Sequence, residues 1–217
     1  MGDSAMLKVS LERARKLLFL GAHSDDIEIG CGGTVLQLAR NNPGLEIVWV
    51  VFSAAGSRQR EARASAQLFL KDVDRPRVVL KKFRTSFFPT QSVLIKESFE
   101  ALKRSYSPDI IFTHYREDRH QDHRLLSDLT WNTFRDHLIL EYEVPKYDGD
   151  LGIPNLFVPL DKAVCRRKTE YLLRSFPTQS SKHWFSEDTF LALMRLRGVE
   201  CASNYAEAFH CRKMVCG

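Results

Sequence analysis

Hydrophobic and polar positions along this chain follow two alternating patterns. Short, nearly continuous apolar runs predict buried β-strands, and between them apolar residues recur every three or four positions, which predicts amphipathic helices. The predicted strands cover residues 16–23, 46–53, 76–83, 108–115 and 138–144. The predicted helices that separate these strands cover residues 31–42, 58–73, 92–106 and 120–137.

This succession of strand and helix predicts an α/β fold, a Rossmann-like three-layer sandwich with a mostly parallel sheet and helices on both faces. The pattern loosens from about Tyr147, where a turn-rich stretch precedes one short strand at 155–160 and helices at 161–176 and 186–198. A less regular C-terminal layer is therefore expected. The chain has no internal repeat and no clear linker, and 217 residues suffice for one core, so residues 1–217 are interpreted as a single domain.

Composition narrows the class of protein. Hydrophobic residues make up 44% of the chain and charged residues 27%, as in ordinary soluble globular proteins. No apolar run approaches the roughly 18 residues needed to span a bilayer, so no membrane span is expected. The formal net charge is +5, but acids and bases are interspersed, and the sequence lacks the dense basic run of a nucleic-acid binder.

The N-terminal segment and the cysteines favour a cytoplasmic protein. Residues 1–16 lack the apolar core and the cleavage pattern of a signal peptide. Gly2 does not fit a myristoylation signal, because Met6 stands where Ser or Thr is required. The five cysteines are odd in number and form no C-x-x-C pair, which indicates reduced thiols. The oligomeric state is not readable from the sequence, and a homo-oligomer stays an open alternative.

Two clusters of polar, chemically capable residues follow two of the predicted strands. The first, "AHSDD", occupies residues 22–26, and the second, "HYREDRHQDH", occupies residues 114–123. Ligands of open α/β sheets bind at the carboxyl ends of the strands. The separation of the two clusters in the sequence would therefore disappear if the two strands were neighbours in the sheet.

Several residues of these clusters are of metal-ligand type. His23, Asp26 and His123 form a two-histidine, one-carboxylate set, which suits a catalytic zinc ion with one position left for water. Asp25 is suited to take a proton from that water. His120 lies three positions before His123, so the two side chains share a face if a helix begins there. Imidazole and carboxylate also bind Fe²⁺ and other divalent ions, so the identity of the metal stays open.

Simpler interpretations compete with a metal site. Asp25 and Glu28 have the spacing of a capping box, so these acids would serve only to begin a helix. A cap requires neither His23 nor a second histidine cluster, and the presence of both favours the metal site. The glycine run "GCGGT" lacks the spacing and the lysine of a phosphate loop. Its three glycines are expected to let the following helix lie close to the sheet.

The segments "AHSDDIEIGCGGT" and "HQDHR" together resemble the PIG-L/LmbE-like family of zinc-dependent N-acetylglucosaminyl deacetylases, whose pattern is A-H-x-D-D near the N-terminus and H-x-x-D-H further on. "RQREARASAQLF" and "RGVECASNYAEAF" resemble further parts of the family, so the likeness covers most of the chain. The chain has Ser24 where many members have Pro and Ile27 where many have Glu. These departures bear on the substrate pocket and leave the metal ligands intact.

The resemblance implies a hydrolase that removes the N-acetyl group from an N-acetylglucosamine-type sugar or conjugate and releases acetate and a free amine. The zinc ligands that it implies are His23, Asp26 and His123. It implies Asp25 as the general base. It implies His120 as the group that stabilises the oxyanion or protonates the leaving amine, tasks that a positively charged ring would suit. Asp122 is implied as the partner that fixes the orientation of an imidazole.

Substrate contacts are expected among basic and aromatic residues near the two clusters. The basic candidates are Arg58 and Arg60 after the second strand and Arg116 and Arg119 beside the second cluster. One or more of them is expected to bind sugar hydroxyls or a phosphate, with a surface position as the alternative. Tyr115 and Trp184 are candidates for stacking on a sugar ring, with core packing as the alternative, and His114 is expected to make a structural hydrogen bond.

Three other functions stay open on the sequence alone. A related amidase would cleave a larger acyl group from an amino-sugar conjugate by the same chemistry. A non-catalytic nucleotide-binding domain would need a phosphate-binding loop directly after the first strand, where "AHSDD" stands. A nucleic-acid binder would need a stripe of basic residues. The expected partner is therefore a small-molecule or glycan substrate that carries an N-acetyl group.

Overall fold

The computed structural model describes residues 8–11 and 13–215. The expectation about Gly2, and much of the segment that bears on a signal peptide, concern residues 1–7, which lie outside the described residues, as does Cys216. The other four cysteines are free thiols. No helix within the described ranges is long and apolar enough to cross a membrane.

One mixed sheet of seven strands lies at the centre of the described structure. The strands are β1 (Lys16–His23), β2 (Glu46–Ser53), β3 (Arg75–Leu80), β4 (Ile110–His114), β5 (Leu138–Tyr142), β6 (Leu156–Pro159) and β7 (Ala206–Cys211). Their order in the sheet is β3-β2-β1-β4-β5-β7-β6, in which β1 to β5 are parallel and β7 is antiparallel to both of its neighbours. The α-helices are α1 (Asp26–Asn41), α2 (Ser57–Phe69), α3 (Ser92–Ser105), α4 (Gln121–Thr133), α5 (Lys162–Ser175) and α6 (Glu187–Glu200).

Helices cover both faces of the sheet, because alternate side chains of each strand point to opposite sides. Leu17 and Phe19 of β1 are buried on one face, in a core that includes residues of α1, α2, α5 and α6. Leu18 and Leu20 are buried on the other face, in a core that includes residues of α3 and α4. This arrangement confirms the predicted α/β fold with a mostly parallel sheet.

Two elements differ most from the sequence prediction. α1 begins at Asp26 and not at residue 31, and its backbone leaves helical geometry once, at Cys31. β7 is not predicted by the apolar pattern, because Glu207 and His210 interrupt a run of only six residues. This strand inserts between β5 and β6, so the C-terminal part of the chain completes the sheet instead of forming only a looser layer on it.

A buried ion pair holds the kinked helix α1 to β7. The backbone N–H groups of Gly33 and Thr34 donate to the two carboxylate oxygens of Glu207 at 2.8 Å and 2.6 Å. The Nζ of Lys168 in α5 lies 2.6 Å from the same carboxylate and donates to a carbonyl oxygen of α1. Glu207 therefore acts as a cap for the part of α1 that follows Cys31, and it joins α1, α5 and β7.

The close approach of α1 to its neighbours depends on glycine. A Cβ atom at Gly30 would lie 2.2 Å from the ring of Tyr142, and one at Gly32 would lie 2.6 Å from the ring of Phe69. Both distances are far below van der Waals contact, so only glycine fits without rearrangement. The expected packing role of the glycine run is confirmed.

The strands β1 and β4 separate before their carboxyl ends. Their backbone pairing ends at Phe19 and Phe112. The ring of His114 occupies the gap beyond, where its Nε2 accepts a hydrogen bond from the backbone N–H of Ala22 at 2.9 Å. The expected structural hydrogen bond of His114 is therefore confirmed. The chain order also reverses between β1 and β4, and such a switch point is where ligands bind in open α/β sheets.

Replacing Glu207 by Ala should destabilise the fold by about 3–5 kcal/mol, because it leaves the Lys168 ammonium group buried and unpaired. Thermal and denaturant unfolding measure the loss. Asp161→Ala is the matched control, because it breaks the exposed Arg40–Asp161 pair, and exposed pairs contribute about 1 kcal/mol or less. Equal losses of stability in the two variants would contradict the structural role of Glu207.

Candidate active site

The carboxyl ends of β1 and β4 bring three metal-ligand side chains together. His23 is the last residue of β1, Asp26 is the first of α1, and His123 lies in the first turn of α4. The Nδ1 of His23 lies 3.1 Å from the Nε2 of His123, although 100 positions separate the two residues. The Oδ2 of Asp26 lies 3.3 Å from the first nitrogen and 3.5 Å from the second. The three atoms form a compact triangle.

This triangle fits a single metal ion. Tetrahedral zinc holds nitrogen and oxygen ligands at about 2.0–2.2 Å, which places the ligand atoms about 3.3–3.6 Å from one another. The surroundings also favour a positive charge: burial opposes protonation of His23, yet the carboxylates of Asp26 and Asp122 raise its pKa to about 10. A divalent cation would satisfy the same carboxylates.

Two further histidines border the triangle. His114 and His120 each belong to a group of three residues whose ligand atoms lie within 4.8 Å of one another, and both groups include His123. The Nε2 of His114 already accepts the N–H of Ala22, so this nitrogen has no lone pair for a metal. His23, Asp26 and His123 are therefore the set whose geometry and chemistry agree best with one ion.

The Nε2 atom of His23 is held by Asp122, which is the kind of contact that the family resemblance implies for this carboxylate. The Oδ2 of Asp122 lies 3.1 Å from the Nε2 of His23. The backbone N–H groups of Ser86 and Phe88 donate to Asp122 at 2.6 Å and 3.1 Å. The carboxylate is therefore fixed in place, and it favours the His23 tautomer whose Nδ1 lone pair faces Asp26 and His123.

Asp118 holds His123 in the same way, and the sequence analysis did not single it out. Its Oδ2 lies 2.8 Å from the Nδ1 of His123 and 2.9 Å from the Nζ of Lys146. Although burial disfavours its charge, the hydrogen bond to His123 and the nearby cations hold the pKa of Asp118 below its usual value. The signal in the sequence is a second aspartate, besides Asp122, within the cluster that contains His123.

Asp25 stands at the start of α1, but its carboxylate caps no helix. No hydrogen bond joins its side chain to the first turn; instead its Oδ1 lies 2.8 Å from the Nη2 of Arg58. Burial raises the pKa of Asp25, and the charge of Arg58 opposes that shift. The capping-box interpretation is wrong, because the side chain of Asp25 makes no capping hydrogen bond. Glu28 is fully buried, and burial raises its pKa to about 8.

A chain of contacts fixes Arg58 in turn. Its Nη1 lies 2.9 Å from Glu61 Oε2, and its guanidinium group lies over the ring of Phe176 at 5.2 Å. Glu61 also accepts hydrogen bonds from the backbone N–H and the hydroxyl group of Thr178. Arg58 therefore connects Asp25 to the short 3₁₀ helix Pro177–Gln179 in the C-terminal part of the chain.

His120 is the N-cap residue of α4, and this position determines its tautomer. Its Nδ1 accepts a hydrogen bond from the backbone N–H of Asp122 at 3.2 Å, so the ring carries its proton on Nε2. Burial lowers the pKa of His120, and the nearby His23 adds to the shift. Both the accepted hydrogen bond and the lowered pKa favour a neutral His120 ring with its proton on Nε2 over the expected positive charge.

A cleft of about 730 Å³ opens above these residues, within the range of about 300–1,000 Å³ that is usual for small-molecule sites. Its walls come from the segments after β1, β2, β3 and β5, from the start of α4 and from the loop before α6. The charged and aromatic residues that line it are His23, Asp25, Asp26, Arg58, Lys82, Phe83, Arg84, His120, His123, Lys146, Tyr147, Asp148, Lys182 and Trp184.

The residues predicted to bind substrate divide into two groups. Arg58 and Trp184 line the cleft. Tyr115 and Arg116 do not, because the chain turns towards β5 after His114. There Tyr115 stacks on the ring of His210, and Arg116 lies beside Trp131 with its backbone N–H bonded to Glu141. Arg60 and Arg119 are exposed and lie outside the cleft lining.

Comparison with known proteins gives a family and a fold. The family model PIG-L, described as GlcNAc-PI de-N-acetylase, matches residues 18–134. An uncharacterized deacetylase of Escherichia coli strain K12, YaiS, is 30% identical over 156 residues, which are 66% of this chain and 80% of that protein.

Two solved structures show the same fold at low identity. The N,N'-diacetylchitobiose deacetylase of Pyrococcus horikoshii has a TM-score of 0.70 and 20% identity, over 91% of this chain and 83% of its own. GalB of Pseudomonas putida KT2440, a 4-carboxy-2-hydroxymuconate hydratase, has a TM-score of 0.70 and 15% identity, over 93% of this chain and 98% of its own. One fold thus carries two different reactions in these two proteins, so the fold alone does not identify the reaction of this chain.

Asp118→Asn should weaken zinc binding about 10- to 100-fold, because it removes the carboxylate that orients His123. Competition with a chromophoric chelator measures the affinity. Asp128→Asn, on the exposed side of the same helix, is the control and should bind zinc as the unaltered protein does. Equal zinc affinity in all three proteins would remove Asp118 from this role.

Proposed function

This chain belongs to the PIG-L family of deacetylases, and on that premise we propose that it is a zinc-dependent hydrolase. It removes the N-acetyl group from an N-acetylglucosamine-type sugar or sugar conjugate and releases acetate and a free amine, with residues 1–217 as one catalytic domain. The observation that carries the proposal is the triangle of His23, Asp26 and His123, with the carboxylate of Asp25 beside it in the same cleft.

His23, Asp26 and His123 would hold the metal. When bound there, zinc lowers the pKa of a coordinated water to about 7 and polarises a carbonyl oxygen. The same donor set binds Fe²⁺, so the native ion is either of these or a related divalent ion. Asp118 and Asp122 keep the two imidazole rings in the orientation that coordination needs.

Asp25 is the general base of the proposed reaction. Its Oδ1 is engaged by Arg58, which leaves Oδ2 to accept the proton of the attacking water. The water oxygen forms a bond to the acetyl carbon, and the carbonyl oxygen gains negative charge. Because burial raises the pKa of Asp25, the proton that it has accepted is held long enough to be passed on.

His120 stabilises the oxyanion as a neutral donor. Its Nε2–H would point to the carbonyl oxygen, since Nδ1 is committed to the N–H of Asp122. Loss of one such donor typically lowers the rate about 100- to 1,000-fold. A neutral imidazole is a poor acid, so the proton that expels the amine comes from Asp25 when the carbon–nitrogen bond breaks.

The alternative functions differ from the proposed deacetylase in the substrate that they would use or the product that they would release. An amidase for a larger acyl group would use the same residues, and a panel of N-acyl sugars distinguishes it. A hydratase with this fold would release no acetate from any of them. The nucleotide-binding alternative is disfavoured, because Asp25 and Asp26 occupy the position after β1 where a phosphate loop would lie.

Asp25→Asn should lower the rate of acetate release at least about 100-fold while zinc stays bound, because an amide cannot accept the proton of water. Acetate release from N-acetyl sugars and the zinc content of the purified variant are the two measurements. Asp72→Asn, an exposed change outside the cleft, is the control. Near-normal turnover in Asp25→Asn would remove Asp25 from the proposed role.

Removal of the metal should abolish turnover without unfolding the chain, because the ligands lie on elements that are packed independently of the ion. Activity is measured after chelation and again after addition of Zn²⁺ or Fe²⁺, with circular dichroism as the check on folding. The ion that restores the higher rate is the better cofactor. Full activity in protein without measurable metal would contradict the proposal.

A further inference from the structure

The cleft carries an excess of basic side chains beyond those that the chemistry requires. Five cations line it, and they come from four segments of the chain. They are Arg58, Lys82, Arg84, Lys146 and Lys182. The acids that line the cleft are Asp25, Asp26 and Asp148. The excess lies on the walls, because two of the three acids belong to the catalytic cluster at the base of the cleft.

Two of the five cations are already paired with carboxylates. Arg58 contacts Asp25 and Glu61, and Lys146 contacts Asp118 and Asp150. These four contacts are 2.6–2.9 Å long and involve side chains that are largely buried. The charges of Arg58 and Lys146 are therefore neutralised by these carboxylates, so the two residues have little charge to offer a ligand.

The remaining three cations have no such partner. Within residues 8–11 and 13–215, no carboxylate lies within 4.0 Å of the charged groups of Lys82, Arg84 or Lys182, and all three residues are exposed. The acid that could offset them, Asp148, is exposed and also makes no ion pair with a described residue. The cleft thus presents three unpaired positive charges and one unpaired negative charge.

Aromatic rings restrain two of these cations. The guanidinium carbon of Arg84 lies 3.7 Å from the centre of the Phe87 ring, and the Nζ of Lys182 lies 5.4 Å from the centre of the Trp184 ring. Such contacts limit the rotamers of long side chains, so less entropy is lost when a ligand binds. A solvated surface lysine or arginine has no comparable restraint.

We propose that Lys82, Arg84 and Lys182 bind a phosphate group on the acetylated amino-sugar substrate. This inference rests on the proposed deacetylase function, because the acetamide must reach His120 and Asp25 while the phosphate lies at the wall. A carboxylate with two oxygens is satisfied by one arginine. A phosphate has more acceptor oxygens and a second charge, which suits one guanidinium and two ammonium groups from two loops.

The test compares substrates that differ in charge at one position. The methyl glycoside of N-acetylglucosamine is the neutral substrate, and N-acetylglucosamine 1-phosphate carries a phosphomonoester. Uridine diphosphate N-acetylglucosamine carries its phosphate groups as a diphosphate linked to a nucleotide. Comparing the two phosphorylated substrates therefore shows whether the site prefers a sugar phosphate or a nucleotide-linked sugar. In the unaltered protein, kcat/KM should be at least about tenfold higher for a phosphorylated sugar than for the neutral one.

The decisive variant is Lys82→Ala/Arg84→Ala/Lys182→Ala. In it, the ratio of kcat/KM between the phosphorylated and the neutral sugar should fall to near one. The matched control is Arg63→Ala/Lys103→Ala/Arg167→Ala, which removes the same net charge from exposed positions outside the cleft and should keep the ratio. Titration calorimetry with glucosamine 1-phosphate measures the same dependence without turnover.

The outcomes separate this proposal from the proposed function. Acetate release with no preference for phosphate, or a preference that survives the decisive variant, overturns the phosphate site and leaves the deacetylase standing. If no sugar releases acetate, calorimetry decides: binding of glucosamine 1-phosphate that weakens at least about tenfold in the decisive variant alone supports the site. Binding that is equal in the decisive and control variants overturns it.

Discussion

The adjacency of β1 and β4 is the constraint on which the site depends. The two strands pair only as far as Phe19 and Phe112, whose rings stack with their centres 4.4 Å apart. Beyond this pair the strands diverge, and the ring of His114 takes the backbone N–H that the sheet no longer satisfies. A buried N–H without a partner would cost on the order of 1–3 kcal/mol, so the side chain makes the opening stable.

The opening allows a dense group of charges to be buried. Asp25, Asp26, Asp118 and Asp122 are all almost wholly withdrawn from water. Burying carboxylates is costly unless each has a partner, and each of these four has one. Asp25 contacts Arg58, Asp26 contacts His23 and His123, Asp118 contacts Lys146, and Asp122 accepts backbone N–H groups. The site is therefore rigid for electrostatic reasons, since moving one group would leave another unpaired.

The positions of the buried parallel strands and the residue types that form the site can largely be predicted from the sequence. β1 and β2 have the bounds that their apolar runs predict, because both faces of these strands are buried and give an uninterrupted signal. The glycine run and the two polar clusters are also interpretable from the sequence, because glycine, histidine and aspartate each serve few structural or chemical purposes. His23 lies next to His123 because β1 and β4 are neighbours in the sheet. The sequence predicts that the two clusters meet only on the condition that their strands are adjacent, and it does not show that they are.

Other features depend on tertiary contacts that no local pattern encodes. β7 alternates polar and apolar residues because Glu207 points into a buried ion pair, so it does not resemble a buried strand. Tyr115 and Arg116 lie next to the second cluster in sequence, but the turn after His114 directs them towards β5. The tautomer and the lowered pKa of His120 could not be predicted, because they follow from a hydrogen bond at a helix cap, from burial and from the nearby His23.

The chain of contacts from Asp25 through Arg58 and Glu61 to Thr178 makes the first part of the chain depend on the C-terminal part. The segment matched by the family model ends at residue 134, yet Lys146, Thr178 and Glu207, which lie beyond it, support the acids and the helix within it. The segment that carries the motifs therefore does not contain all the contacts that its site needs. Grafting residues 18–134 onto another scaffold would transfer the reactive groups but omit the ion pairs and hydrogen bonds that hold them in position.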